Sequence, residues 1–374
     1  MAKFAVPEKI FNGAGCLKEL PGLIGSLKVS RPVVVTGKSW ARTSGTLKKI
    51  EDLLGTVSVR PVVFEGAPAE PTCEFIDQLR DVVKGANVDS VLALGGGSVL
   101  DAGKAAAILV NSDQPTAWHL EAQKLPDRSL PVVTIPSTSG TGSEVTPVSV
   151  LVDTKQRIKQ SFRSEAMMPK AAIVDPELTV LCGPEITAQS GMDAFVQAVE
   201  SFCSKFSNHL SDALTEKAIS LIARNLVEAY RDGSNLAARQ AMAEGSLMAG
   251  MALANVRLGA VHGLAHPIGG LYHIPHGLAC AVLLPAVLEF NQSALYSGQE
   301  DKYSRLCNLL MADPVDFSRR LLSDLGLPRD LRKYRIKEED FPFIADLTMA
   351  SGSTKANPRE VSREDALEIL RKVM

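Results

Sequence analysis

Four of the six histidines in this 374-residue chain, His262, His266, His273 and His276, fall between residues 262 and 276. Imidazole is the commonest neutral nitrogen ligand for transition metals, so a cluster of this scarce residue is the strongest local chemical signal in the sequence. His262 and His266, four apart, share one face of a helix. His276 stands between Pro275 and Gly277, on a turn that could bring it back toward them. Burial as hydrogen-bonded core histidines is the alternative, and it suits any one of the four better than the whole cluster.

A second signal is a cradle for phosphate. A buried-strand pattern over 90–94 runs into Gly95-Gly96-Gly97-Ser98, and a helical pattern follows over 99–110. That order sets free N–H groups and the positive end of a helix dipole at the C-terminal edge of a strand, where a pyrophosphate binds. Gly96, Gly97 and Ser98 are the candidate contacts, although a plain strand-to-helix turn would look similar. The loop over 136–144, PSTSGTGSE, also leaves a strand. Its Ser137, Thr138 and Thr141, with Thr146 just beyond, can donate to phosphates or a carboxamide. Ser/Thr/Gly clusters alone are usually loops, but two at one sheet edge reinforce each other.

These loops need a scaffold. From residue 31 to about 179, short β-branched runs (33–35, 61–64, 90–94, 131–135, 171–174) alternate with helical patterns, which predicts an α/β domain with a mostly parallel sheet. Gly13-Ala14-Gly15 lacks a preceding strand and reads as a turn. Past 180 the strand signals nearly vanish, and long helices are predicted over 187–202, 211–230 and 237–255. The expected division is therefore 1–179, an α/β domain carrying the phosphate cradle, and 180–374, an all-α domain carrying the histidine cluster.

Composition sets limits on partners. With 45% hydrophobic and 22% charged residues the chain is ordinary globular protein, and 40 basic against 42 acidic side chains give a net charge of -2. No global basic field advertises nucleic acid or an anionic membrane. Six cysteines without a C-x-x-C pair read as reduced, packed thiols of a cytoplasmic protein. The N-terminus lacks a signal-peptide apolar core, and the longest apolar stretch, 279–288, contains Pro285 and is too short for a spanning helix, so no membrane association is expected.

The segments GGGSVLDAGKAAA (95–107), IPSTSGTGSEVTPVSVLVD (135–153), AAIVDPELT (171–179), GMDAFVQAVESF (191–202), GAVHGLAHPIGGLYHIPHG (259–277) and TKANPREV (354–361) occur in order. Together they resemble the iron-containing (group III) alcohol dehydrogenases over nearly the whole chain. The resemblance implies an N-terminal dinucleotide-binding domain, a C-terminal helical metal-binding domain and a homodimer. It also implies hydride transfer between a small alcohol and NAD(P), with a divalent metal polarising the oxygen of the alcohol or aldehyde. In the family the metal is held by an aspartate, a histidine four residues later and two further histidines. The matching positions are Asp193, Gln197, His262 and His276, so one of the four departs from the pattern. A neutral amide oxygen is a poorer ligand than imidazole for Fe²⁺. Three outcomes stay open: Fe²⁺ with Gln197 or water as fourth ligand, Zn²⁺ on the Asp-His-His triad as in the related glycerol dehydrogenases, or a weakened site that is often empty.

By the same resemblance His266 is the catalytic residue, lying beside the nicotinamide ribose and relaying the alcohol proton. Asp101 and Lys159 contact the cofactor; Lys104 follows Asp101 on the same helix. NAD-using members commonly carry an aspartate where this chain has Gly37, whose carboxylate repels a 2′-phosphate. With Gly37, Lys38 and Ser39 there, NADP is expected over NAD, with dual use. Arg257 is a candidate for an anionic substrate group, or simply a surface arginine. Two other readings are a lyase related to dehydroquinate synthase and a degenerate, non-catalytic nucleotide-binding protein.

Overall fold

The computed structural model describes residues 3–156, 158–297 and 301–374. The chain forms two compact units, one of Ala5–Cys182 and one built on Gly183–Met374. The division falls at Cys182 because the one-turn helix Pro176–Thr179 stays with the sheet. Leu178 is buried in the core of the first unit, and the Cys182 thiol bonds the Ser137 carbonyl at 3.1 Å.

In the first unit six parallel strands lie in the order β1 (Lys9–Asn12), β8 (Ala171–Val174), β5 (Val132–Pro136), β4 (Ser90–Gly95), β2 (Pro32–Gly37), β3 (Val62–Ala67). Successive side chains of a strand face opposite ways, so a run such as Val33-Val34-Val35 feeds two cores. Val33, Val35 and Val91 pack with Ile76 of α3 (Cys73–Gly85) and Ala105 of α4 (Gly97–Leu109). Val34, Leu92 and Val133 pack with Ile24 of α1 (Leu20–Leu27) and Ile50 of α2 (Thr46–Gly55). The expected parallel α/β architecture is thus present, with helices on both faces. Strand order reverses between β2 and β4, and the register pairs Thr36 with Leu94 and Gly95 with Pro136. The turn at 36–39, the glycine turn at 95–97 and the loop at 136–144 therefore leave the sheet at one edge, beside the switch point where nucleotides bind in such folds.

Two elements were not expected from the sequence. β1 is only four residues long. The antiparallel hairpin of β6 (Val148–Asp153) and β7 (Ile158–Arg163) buries Ser149 and Asp153 alongside Leu151, while Val148, Val150 and Val152 are half-exposed. That inverted alternation hides a strand from a hydrophobic-pattern reading.

The second unit is helical, as expected. Its centre is α5 (Pro184–Cys203), α6 (His209–Arg231), α7 (Leu236–Val256), α8 (Ala260–Tyr272) and α9 (His276–Ser297). A Cβ at Gly191 or Gly245 would strike Leu226 or Ile222, so these glycines let α5 and α7 close on α6. α9 corrects the reading of its apolar stretch as too short to span a bilayer. It continues through Pro285 for 22 residues and is long and apolar enough by composition to cross one. Most of that apolar window is buried in the core of the unit, which accounts for its composition.

Candidate catalytic site

Three helices of the second unit converge on one point. α5 supplies Asp193, Gln197 and Glu200 from one face, all buried. α8 supplies His262, and α9 supplies His276 and, one turn on, Cys280. His276 does not sit on a turn, as the sequence suggested. It opens α9, and the turn is 273–275, with exposed His273 left-handed (φ 53°) at the end of α8. Two glycines permit the convergence. A Cβ on Gly277 would collide with the backbone of Gln189 in α5, and one on Gly263 with the Thr354 hydroxyl.

The geometry is that of a cation site. The Asp193 Oδ1 lies 3.3 Å from His262 Nε2 and 3.8 Å from His276 Nε2, and the four donor atoms of Asp193, His262, His276 and Cys280 lie within 4.8 Å of one another. Metal–ligand lengths of about 2.0–2.3 Å at tetrahedral angles put neighbouring donors roughly 3.3–3.6 Å apart. On its other side the His262 ring meets Glu200, Nδ1 to Oε2 at 2.6 Å, and Glu200 also accepts the Val261 N–H at 2.7 Å. A carboxylate behind a histidine fixes its tautomer and aims the other nitrogen at a metal. Gln197 Oε1 is buried without a hydrogen-bond donor, which suits a polar group held near a cation or its water.

Electrostatics agree. Burial works against a charged His262, yet Cys280, Asp193 and Glu200 outweigh it and hold the imidazole well above its ordinary range. Burial pushes the Cys280 thiol up to about 11 against the pull of His262. A pocket whose acidic donors favour a cationic ring also attracts a metal ion. The donor set therefore fits a divalent cation. His266 lies beside it, half-buried, its ring nearly parallel to that of His276 with centroids 5.0 Å apart.

In the first unit the dinucleotide candidates gather at the sheet edge. Gly96, in extended conformation, precedes α4 without a side-chain cap, and only Thr138, at 3.7 Å, would touch a Cβ there. Gly97 is different, because its Cβ would overlap Thr141. That glycine serves the packing of the two loops as well as any ligand. A Cβ at Gly37 would meet nothing nearer than 3.9 Å, Lys38 and Ser39 are exposed, and the hydroxyl of Thr36 is buried without a partner at the same edge. A backbone left bare and an orphaned hydroxyl fit a nucleotide approaching the switch point.

Behind these loops lies a buried network that the sequence did not reveal. The ammonium of Lys104, fully buried, donates to Ser143 (O at 2.9 Å, Oγ at 2.7 Å), Thr146 (O at 3.2 Å) and the Val148 carbonyl, and pairs with Asp101 at 3.1 Å. Asp101 also accepts from Ser143 Oγ and from the Val150 N–H at 2.8 Å. Both of its carboxylate oxygens are thus engaged in holding the second loop and the hairpin to α4, and Thr146 is buried in the same network. Burial lowers the pKa of Lys104, opposed by Asp101 and Glu144, and burial raises Glu144 to about 7. Lys159 is no solvated charge: it is nearly buried and pairs with Glu70 at 2.6 Å. Arg257 is exposed, over the Phe206 ring at 5.8 Å, which is a surface role.

A doubly wound unit with a bare glycine turn at its switch point, and a helical unit whose Asp193, His262 and His276 could hold a cation, fit a metal-dependent, nucleotide-using enzyme. The chain belongs to the iron-containing alcohol dehydrogenases. The family profile described as iron-containing alcohol dehydrogenase matches residues 7–176, and that of the C-terminal part of the Fe-containing alcohol dehydrogenase family matches 187–374. The chain is 36% identical to a sulfoacetaldehyde reductase of Bilophila wadsworthia, over 97% of this chain and 96% of that one. It is 34% identical to a 1,3-propanediol dehydrogenase of Citrobacter freundii, over 99% and 98%. An alcohol dehydrogenase from Oenococcus oeni superposes with a TM-score of 0.94 at 30% identity, with all of both chains covered.

Proposed function

We propose that this enzyme interconverts a small alcohol and its aldehyde or ketone with NADP(H) preferred over NAD(H), using one divalent metal held by Asp193, His262 and His276. The observation that carries the reading is the convergence of those three donors, with Glu200 behind His262. When bound, the metal supplies Lewis acidity to the substrate oxygen, and the nicotinamide carries the hydride. Glu200 fixes the ring of His262, and His266 beside the site takes the proton that the alcohol must lose. The dehydroquinate-synthase-like lyase and the non-catalytic binding protein are not favoured. The family of the chain is that of the dehydrogenases, and Asp193, His262 and His276, three of the four donor positions, are present and close together.

The relatives act, by their names, on sulfoacetaldehyde and 1,3-propanediol, so short aldehydes bearing a polar far end head the list of substrates. Cytoplasmic location agrees with six free cysteines, and a homodimer is carried on family resemblance. A screen of aldehydes and alcohols with both cofactors, alongside elemental analysis, tests the reading; turnover of none of them by metal-loaded protein would refute it.

Cofactor choice has its own test. A Cβ at Gly37 would meet only Ala67 O and Val99 Cγ2, both at 3.9 Å, so the backbone accepts a side chain there. Gly37→Asp is expected to lower kcat/KM for NADP(H) by about tenfold or more relative to NAD(H), about 1.4 kcal/mol of discrimination from one carboxylate against a phosphate. An unchanged ratio, or a wild-type enzyme that strongly prefers NAD(H), would contradict the assignment.

A further inference from the structure

We propose that the metal centre of this chain is completed by the Cys280 thiolate, giving an Asp193–His262–His276–Cys280 donor set that selects Zn²⁺ over Fe²⁺. The inference rests on the metal-dependent reading above and deepens it. At 197, where the family pattern has a histidine, this chain has glutamine. The structure places another donor at the same point from a different helix. Cys280 lies one turn after His276 on α9, so both side chains leave the same face. Its sulfur is 3.6 Å from His276 Nε2 and within 4.8 Å of the donors of Asp193 and His262.

Two of the separations match one shared ion; Asp193 Oδ1 to His276 Nε2 is longer, at 3.8 Å, and all four donors lie within 4.8 Å of one another. Bonds of about 2.05 Å to nitrogen, about 2.0 Å to oxygen and about 2.3 Å to sulfur, at tetrahedral angles, require roughly 3.3 Å between N and O and roughly 3.5 Å between N and S. The structure has 3.3 Å for His262 Nε2 to Asp193 Oδ1 and 3.6 Å for the sulfur to His276. Cys280 is fully buried, so nothing from solvent competes for the sulfur. The chemistry changes with the donor. A soft thiolate in place of imidazole favours Zn²⁺ over Fe²⁺, whereas a neutral amide oxygen at Gln197 weakens the site for both. Zinc can expand to five ligands, which leaves room for the substrate oxygen beside four protein donors. Binding releases the thiol proton to solvent, and no redox step is involved.

The competing fourth donor is Gln197, whose amide oxygen is buried without a donor. X-ray absorption at the zinc edge separates the two. The full-length protein, stripped and reloaded with one equivalent of Zn²⁺, should show a single sulfur scatterer at about 2.3 Å with nitrogen and oxygen near 2.0–2.1 Å. Cys280→Ser should lose that sulfur shell. Its zinc affinity should fall by more than the roughly 10–100-fold that loss of an outer partner costs, and its preference for zinc over iron in a competition should narrow. Should Cys280→Ser fold poorly by circular dichroism, the wild-type shell decides alone. Gln197→His in the Cys280→Ser background should restore retention through nitrogen. A zinc-loaded wild type with only nitrogen and oxygen neighbours overturns the cysteine ligand and leaves the metal enzyme standing. Failure to hold zinc or iron at all overturns both.

Discussion

Replacing His262 with alanine is expected to lower kcat/KM for aldehyde reduction by about a thousandfold or more, with loss of bound metal. The ring faces Asp193 and the proposed cation on one side and a buried carboxylate, Glu200, on the other. Lewis-acid stabilisation of a developing oxyanion is worth several kcal/mol, and about 4 kcal/mol corresponds to a factor near 10³. His262→Ala also leaves Glu200 without its ring partner, although Val261 N–H still reaches it, so some loss of melting temperature accompanies the loss of activity. Kinetics, elemental analysis and a thermal melt distinguish the effects. A folded, metal-free variant with full activity would refute the role.

Lys104→Met should be the most destabilising single change at the dinucleotide side. Methionine fills the volume but abandons a carboxylate, three carbonyls and two hydroxyls in a site with no solvent exposure. Breaking a buried ion pair by removing one partner costs about 3–5 kcal/mol. For a unit of this size that lowers the melting temperature by roughly ten degrees. Cofactor affinity should fall as well, since Ser143 and Thr146 anchor the loop that carries Ser137 to Thr141. Asp101→Asn/Lys104→Met should recover part of the stability, because the stranded charge is gone. An unchanged melt for Lys104→Met would show that the network contributes nothing net.

The parts of this molecule that follow a hydrophobic period were legible in its sequence. The runs at 33–35 and 90–94 became β2 and β4, and the helical patterns after 180 became α5 to α7. The histidine cluster and the glycine turn declared their chemistry because scarce residue types sat close together in the chain. Cys280 and Glu200 did not. A lone cysteine in an apolar run reads as core, and a glutamate on a helix reads as surface, until α8 brings His262 against each. Lys104 was hidden for a similar reason. Apart from Asp101, its acceptors come from 143–148, and no local pattern announces that a lysine is buried against distant carbonyls. The β6 strand was obscured by inward Ser149 and Asp153, which serve Asp101 and the loop at 153–156 rather than a greasy core.

The central claim is that catalysis depends on one cation held by Asp193, His262 and His276. Its most direct test is a metal titration of the stripped wild-type enzyme, with aldehyde reduction by NADPH as the readout. Activity should be near zero in the stripped protein, rise linearly with added Zn²⁺ or Fe²⁺, and break at one equivalent per chain. Full activity in protein shown by elemental analysis to be free of divalent metal would contradict it.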